Sequence, residues 1–267
     1  MKSFTVGPYE IKYIDVGNGF PTLLIHGLAG DHTGWNGQIE TWSNQLRLIA
    51  PDTRGAGVST QIDEPVTIEQ LADDFIALID SLGVQKLHIV GRSMGGSIAQ
   101  WIALKRPEKV QSLVLLASCG KFDHLAIRTL ENMLDVLELT GSWARHAKHS
   151  VANFVSHRFF NEEAERVKKI EELIGSSNRM IACYKAQNIA VRNHDILHRL
   201  KDIDCPVLVM SGGQDPLGGP ILTGWMLDRF PNVKHIEFKQ SSHFFLMEEH
   251  NLFMQHMNDW FIQHTPK

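Results

Sequence analysis

The chain has 267 residues, with 26 lysines and arginines against 30 aspartates and glutamates, and a formal net charge of −4. This balance gives no strong field that would recruit nucleic acid or an anionic membrane. Hydrophobic residues make up 43% and charged residues 21% of the chain, which excludes a wholly disordered protein and a coiled coil. We expect one large domain, or one domain with an inserted lobe.

Neither a membrane span nor a disulfide framework is expected. No apolar run approaches the roughly 18 to 20 residues that cross a bilayer, and the first residues lack the apolar core of a signal peptide. The three cysteines, Cys119, Cys183 and Cys205, are odd in number and widely spaced. They predict neither disulfides nor a metal knuckle, so the cytoplasm is the default compartment.

From its start to about Cys119 the chain alternates short β-rich runs with helical patterns. Several runs are nearly all apolar, which is typical of strands covered on both faces. The predicted strands in this part are residues 11–16, 22–26, 46–50, 86–91 and 112–117.

Between these strands, residues 67–82 carry apolar side chains at three- and four-residue steps. This spacing predicts an amphipathic helix that ends at Gly83. Strands and helices that alternate with short links indicate right-handed crossovers and a mostly parallel sheet, which is the α/β class.

Residues 120–205 have a different pattern. Charged helical patterns, for example at 161–174, replace the β-branched runs, and the strand pattern returns at 206–212 and 233–238 before a last helix at 244–264. Structureless loops of such length are uncommon in compact domains. We therefore predict a core of residues 1–119 and 206–267, interrupted by a helical cap at 120–205. The alternative of two consecutive domains would leave the last two strands without a stable sheet of their own.

The strongest chemical signal is Gly-Arg-Ser-Met-Gly at residues 91–95, which matches G-x-S-x-G. A predicted strand precedes it and a helical pattern follows it. A sharp turn between the two would lift the hydroxyl of Ser93 above the sheet edge, and the flanking glycines would permit that turn. We interpret Ser93 as a nucleophile. The structural alternative is a glycine-rich turn with a capping serine.

A serine hydroxyl needs a base, and His243 is the best placed of the 14 histidines. It follows the last predicted strand, at the end of the sheet where α/β sites collect. Asp215 follows the strand before that and would orient the imidazole. The order Ser93, Asp215, His243 is the one expected for this architecture. Asp123, just after the strand at 112–117, is the competing carboxylate.

Backbone amides must also stabilise the oxyanion that develops during the reaction. The glycine-rich loop at residues 26–30 follows a predicted strand, and we expect the N–H groups of Leu28 and Met94 to be the donors. His26, in the same loop, is expected to brace the backbone rather than to move protons.

Two neighbouring features are interpreted as structural. Residues 52–57 hold two glycines after a strand but lack the third glycine of a dinucleotide motif. We predict a turn there, with a contact between Asp52 and Arg54. Arg92, a bulky cation beside the nucleophile, is expected to support the site by packing or hydrogen bonding, although an electrostatic role stays open.

Together these residues resemble the α/β-hydrolase fold superfamily, over essentially residues 11–260. Within it the chain is similar to capped serine hydrolases, which include enol-lactonases, carboxylesterases and carbon–carbon hydrolases. The resemblance implies a mostly parallel eight-stranded sheet with helices on both faces and a helical cap inserted after the sixth strand. Serine at position 93 argues against dehalogenases and epoxide hydrolases, which carry aspartate there. Arg92 and Phe244 differ from the residues usual at their positions.

The sequence thus predicts a cofactor-independent serine hydrolase, without a metal, that cleaves a small carboxylic ester or lactone through an acyl-enzyme on Ser93. The alternative is a carbon–carbon bond hydrolase that uses the same triad on an aromatic ring-fission product. A hydroxynitrile lyase, which would need a cationic cap residue near the site, and a ligand-sensing receptor remain as rivals. We expect a small acyl substrate, no nucleic-acid or membrane partner, and leave a homodimer open.

The cap is expected to set the substrate. Its apolar residues could line a pocket or form plain core, and the spacing does not distinguish the two. These residues are Met133, Leu134, Leu137, Trp143 and Phe154.

Overall fold

The computed structural model describes residues 1–266 and contains one eight-stranded sheet. Its order is β1-β2-β4-β3-β5-β6-β7-β8. The strands are β1 (Lys2–Val6), β2 (Tyr9–Val16), β3 (Phe20–Ile25), β4 (Leu46–Pro51), β5 (Leu87–Arg92), β6 (Val110–Leu116), β7 (Val207–Gly212) and β8 (Val233–Phe238).

The sheet is parallel from β4 across to β8, and only its first two strand pairings are antiparallel. In the parallel part, neighbouring strands end at the same edge, so the loops after β3, β5, β7 and β8 lie side by side. The predicted mostly parallel α/β sheet is confirmed.

Seven of the eight strands match the sequence prediction to within two residues, and β1 was missed. This strand pairs only with β2, and most of its side chains are exposed. An edge strand that buries little apolar surface lacks the pattern by which the other strands are recognised.

Helices cover both faces of the sheet. On one face α2 and α3 pack within the larger apolar cluster, which includes Phe75 and Ile98. On the other face Trp42 of α1 packs with Phe253 and Phe261 of α11. The helices outside the β6–β7 connection are α1 (Asn36–Trp42), α2 (Ile68–Ser81), α3 (Met94–Lys105), α9 (Pro220–Leu227), α10 (Phe245–Glu248) and α11 (His250–His264).

The predicted helix at 67–82 has clear start and stop signals. Thr67 caps α2, and its hydroxyl and the Gln70 side chain exchange hydrogen bonds with each other's backbone amides. The helix ends before Gly83, which adopts a left-handed φ of 66° that favours glycine.

Five helices lie between β6 and β7, in the stretch where the sequence predicts a cap. They bury Met133, Val151 and Phe159 in the same cluster as the sheet residues. That they form a separate cap domain stays a prediction. These helices are α4 (His124–Thr140), α5 (Trp143–Phe154), α6 (His157–Glu162), α7 (Ala164–Gly175) and α8 (Ile181–Arg192).

Two predicted helices are each interrupted. The pattern at 161–174 spans the end of α6 and all of α7, and the chain leaves helical geometry at Glu163. The pattern at 244–264 is divided at Glu249, whose φ of −121° and ψ of 51° separate α10 from α11. Glu249 accepts a hydrogen bond from Ser241 Oγ, and Glu248 accepts from the amides of Ser242 and Ser156. These tertiary hydrogen bonds stabilise the interruption between α10 and α11. The spacing of apolar residues does not reveal such bonds.

Within residues 1–266, the helices are too short or too polar for any of them to cross a membrane.

His88 makes a pH-dependent contribution to stability. Its ring is buried in β5, with Nδ1 2.7 Å from Ser112 Oγ and Nε2 3.0 Å from Thr265 Oγ1. Burial lowers the pKa of His88 from 6.5 to about 4. Between these values only the unfolded chain takes up the proton, so the free energy of unfolding must fall as the pH drops from 6.5 to 4.

We predict that His88→Gln removes up to about 1.4 kcal/mol per pH unit from that slope. The measurement is urea unfolding at several pH values between 4 and 7. The exposed His198→Gln is the matched control and should keep the slope of the unmodified protein. A slope unchanged by His88→Gln would contradict the assignment.

Candidate active site

Ser93 stands on a strained turn between β5 and α3. Its φ of 52° and ψ of −120° lie outside the regions that L residues prefer. The turn is held by Ser93 N, which donates to Leu116 O at 2.8 Å, and by Ser118 Oγ, which donates to Ser93 O at 2.9 Å. The end of β6 and the residues that follow it therefore maintain the strained geometry.

The glycines beside Ser93 are required by close backbone packing. A Cβ on Gly95 would lie 2.2 Å from Ile25 O, and one on Gly91 would lie 2.3 Å from Gly95 O. Such distances leave no room for any side chain. The predicted reason for both glycines, a tight strand-to-helix turn, agrees with these distances.

Asp215 and His243 meet across the ends of β7 and β8. His243 Nδ1 lies 2.8 Å from Asp215 Oδ2, and both side chains are almost fully buried. Asp215 Oδ1 accepts a second hydrogen bond from Leu217 N at 2.7 Å. The carboxylate is thus fixed, and with Nδ1 bound to it the His243 ring has Nε2 free for a proton.

Ser93 and His243 border one cavity of about 280 Å³. No hydrogen bond joins Ser93 Oγ to the His243 ring within residues 1–266. Phe154 of α5 packs against that ring, with centroids 4.9 Å apart. The structure therefore brings all three predicted residues to one place, with the Asp215–His243 bond formed. In enzymes without substrate, the bond from nucleophile to base is often long or poorly aligned.

The two predicted oxyanion donors are close to Ser93 along the cavity or along the chain. Leu28 borders the cavity, and Met94 is the first residue of α3, where amides have no helical acceptor. Neither amide donates to another group in the described part of the chain. The chain bends directly after Leu28, where Ala29 has a φ of 61°.

More of the remaining cavity wall is apolar than polar. Its residues come both from the predicted core and from the helices between β6 and β7. Met133 and Phe154 line it, as the sequence allowed, whereas Leu134, Leu137 and Trp143 pack with Tyr184 in a separate cluster. Other apolar lining residues are Leu28, Ala29, Phe122, Leu130, Ile170, Leu173, Ile174, Val191, Leu217, Phe244 and Met247.

His26 has the bracing contacts that the sequence analysis expected. Its Nδ1 lies 2.9 Å from Gly27 O, and its Nε2 accepts from Thr53 N at 3.1 Å. Burial lowers the pKa of His26, so the ring is neutral. The competing carboxylate, Asp123, caps α4 by accepting from Ala126 N at 2.8 Å.

The predicted contact between Asp52 and Arg54 is wrong. Arg54 pairs instead with Asp74 of α2, through Nε at 2.7 Å. Asp52 is buried and accepts from the amides of His32 and Val58, and its Oδ1 also lies 2.8 Å from His32 Nδ1. The prediction paired residues that are close in sequence, whereas the fold gives the two side chains different partners.

Several polar cavity residues were not identified from the sequence, and His146 and Arg179 are two of them. His146 of α5 has its Nδ1 3.0 Å from Met133 O, and burial lowers its pKa to about 4. Arg179, in the link between α7 and α8, donates to Gly30 O at 2.7 Å. His146 lies in a helix and Arg179 in a link, and neither belongs to a recognisable motif. Only the tertiary structure therefore shows that they line the cavity.

Comparison with known proteins agrees with this geometry. The family model described as alpha/beta hydrolase fold matches residues 21–250. A protein of Caulobacter sp. (strain K31), provisionally named carbamate hydrolase RutD, is 30% identical over 79% of this chain and 79% of its own. The 3-oxoadipate enol-lactonase 2 of Acinetobacter baylyi (strain ATCC 33305 / BD413 / ADP1) is 28% identical over 74% of this chain and 72% of its own.

Among solved structures, a thermophilic esterase from Thermogutta terrifontis with malate bound superposes with a TM-score of 0.87. It is 26% identical and covers 99% of this chain and 100% of its own. The chain belongs to the α/β-hydrolase fold family. Within that family it is a hydrolase.

The turn at Ser93 provides a stability prediction. Gly95→Ala should lower the free energy of unfolding by about 3 kcal/mol or more, because its Cβ would overlap Ile25 O. Thermal and urea unfolding would measure the loss. Gly224→Ala in α9 is the matched control, since nothing lies within 4 Å of its Cβ position. The control should be neutral or stabilising by up to about 1 kcal/mol. Equal stability of both variants would contradict the close approach.

Proposed function

We propose that the protein is a cofactor-independent serine hydrolase that cleaves a small carboxylic ester or lactone through an acyl-enzyme on Ser93. The observation that carries this proposal is the 2.8 Å Asp215–His243 bond beside a strained serine on the same cavity. Names of relatives, which include an enol-lactonase and an esterase, favour the same bond type.

In the proposed first step, His243 Nε2 takes the proton of Ser93 as its Oγ attacks the substrate carbonyl carbon. Asp215 holds the imidazole in the required tautomer and stabilises the imidazolium that forms. The amides of Leu28 and Met94 donate to the oxyanion. When the tetrahedral intermediate collapses, the leaving oxygen receives the proton from His243.

In the second step, water releases the acid. His243 removes a proton from a water molecule, whose oxygen attacks the acyl carbon, and the proton then returns to Ser93 Oγ. The cavity of about 280 Å³ and its apolar wall suit a small acyl compound.

Two other reaction types use similar residues and belong in the substrate screen. A relative is named as a carbamate hydrolase, so carbamates should be tested beside esters, lactones, amides and a ring-fission dienoate. The lyase alternative requires a cationic residue from the predicted cap near the site, and Arg179, within that stretch, lies on the cavity. Its guanidinium donates to Gly30 O and Gln187 Oε1, which argues against that role, and a cyanohydrin assay tests it.

We expect Ser93→Ala to lose about 10³-fold or more of kcat/KM on any ester that the unmodified protein hydrolyses. The matched control is Ser97→Ala, one turn further along α3, where the buried hydroxyl has no hydrogen-bond partner. That variant should keep its activity. Trapping of the acyl-enzyme by mass spectrometry, on Ser93 and not in the alanine variant, is the second measurement. Full turnover by Ser93→Ala would refute the proposal.

A further inference from the structure

Arg92 places a cation next to the nucleophile, on the cavity itself. It borders the cavity with Ser93, His243 and Phe244. Its Cζ lies 5.6 Å from the centroid of the Phe244 ring, and its Nε lies 3.7 Å from the Cβ position of Gly27. The guanidinium therefore lies between the proposed oxyanion loop and the residue that follows the proposed base.

This guanidinium contacts the Phe244 ring but has no partner of opposite charge among the described residues. Within residues 1–266 it makes neither a hydrogen bond nor an ion pair, although every other wall group with a full charge is engaged. Arg179 donates to Gly30 O. Asp31 is the one acidic residue lining the cavity in the described chain, and it accepts from Thr33 N and Oγ1.

The positive charge of Arg92 persists at neutral pH. Burial lowers its pKa to about 10, and no nearby carboxylate raises it again. Arg92 is half-buried, and a partly desolvated charge without an oppositely charged partner is unfavourable. Packing support, the role expected from the sequence, does not need a guanidinium that borders a cavity with its N–H groups unpaired. An anion that enters the cavity would satisfy them.

We propose that Arg92 binds a carboxylate group of the substrate and makes the enzyme selective for small esters or lactones that carry one. The planar guanidinium can donate two parallel hydrogen bonds to a carboxylate, in a geometry that a neutral group does not match. Because Arg92 adjoins Ser93, the carboxylate would lie within the same cavity as the bond that is cleaved. This inference rests on the proposed function, since it names the substrate class of that site.

The test compares pairs of substrates that differ in charge alone. The monomethyl esters of succinate, glutarate and adipate carry a carboxylate at increasing distance, and the corresponding ester-amides are their neutral partners. The unmodified protein should have a higher kcat/KM on the acid than on the amide for at least one chain length. Preference for the amide at every length would overturn the proposal.

Arg92→Met should lower the acid-to-amide ratio of kcat/KM by about 10- to 100-fold, since it removes a charge-assisted hydrogen bond. Arg92→Lys keeps the charge but not the bidentate geometry, and should retain part of the ratio. The exposed Arg158→Met makes the same chemical change at the surface and should leave the ratio intact. If Arg92→Met lowers activity equally on both partners, Arg92 acts on the shared transition state and the proposal is wrong.

A measurement on the unmodified protein covers the case in which the Arg92 variants do not fold. Glutarate should inhibit ester hydrolysis at least about 10-fold more strongly than its neutral diamide, glutaramide, and the difference should shrink as salt is added. Equal inhibition by the two would overturn the proposal. Loss of activity in Ser93→Ala together with equal inhibition would leave the serine mechanism standing and reject only the role of Arg92. Full activity of Ser93→Ala would instead reject the serine mechanism.

Discussion

The parallel alignment of β5, β6, β7 and β8 is the constraint on which the rest of this protein depends. Parallel neighbours end at the same edge, so residues that are far apart along the chain come together after their strands. Ser93 follows β5, Asp215 follows β7 and His243 follows β8. The hydrogen bond between Asp215 and His243, which joins residues 28 positions apart, is a direct consequence of that alignment.

The same edge sustains a strained backbone. Ser93 can keep its left-handed φ because the last residue of β6 binds its amide and Ser118, just after β6, binds its carbonyl. Glycines at 91 and 95 also let β3, β5 and α3 approach closely. Loops at the edge are also tied to the helices between β6 and β7. Phe244 N donates to Phe154 O, and Glu248 accepts from Ser156 N. The histidine loop and the helical wall of the cavity are therefore positioned together.

The chemistry of the cavity combines an apolar wall with one unpaired cation. Apolar side chains in the wall lower the local dielectric constant, which increases the effect of a charge such as that of Arg92. The proposed nucleophile would attack beside this charge. In this proposal, different residues determine the reaction and the substrate. The residues at 93, 215 and 243 would determine which type of bond is cleaved, and Arg92 would determine which substrates are preferred.

Much of this arrangement follows from the sequence alone. Apolar runs reveal seven strands and G-x-S-x-G reveals the turn, because buried strands and tight turns restrict residue types locally. The exposed edge strand β1, the breaks at Glu163 and Glu249, and the partner of Arg54 have no such local signature. Tertiary structure alone decided that Met133 and Phe154 face the cavity while Leu134 and Trp143 do not, and that Arg92 has no partner. Helical spacing in a sequence shows that a helix has an apolar face, but not which part of the protein that face contacts. A charge without a partner can be recognised only when the positions of all surrounding side chains are known.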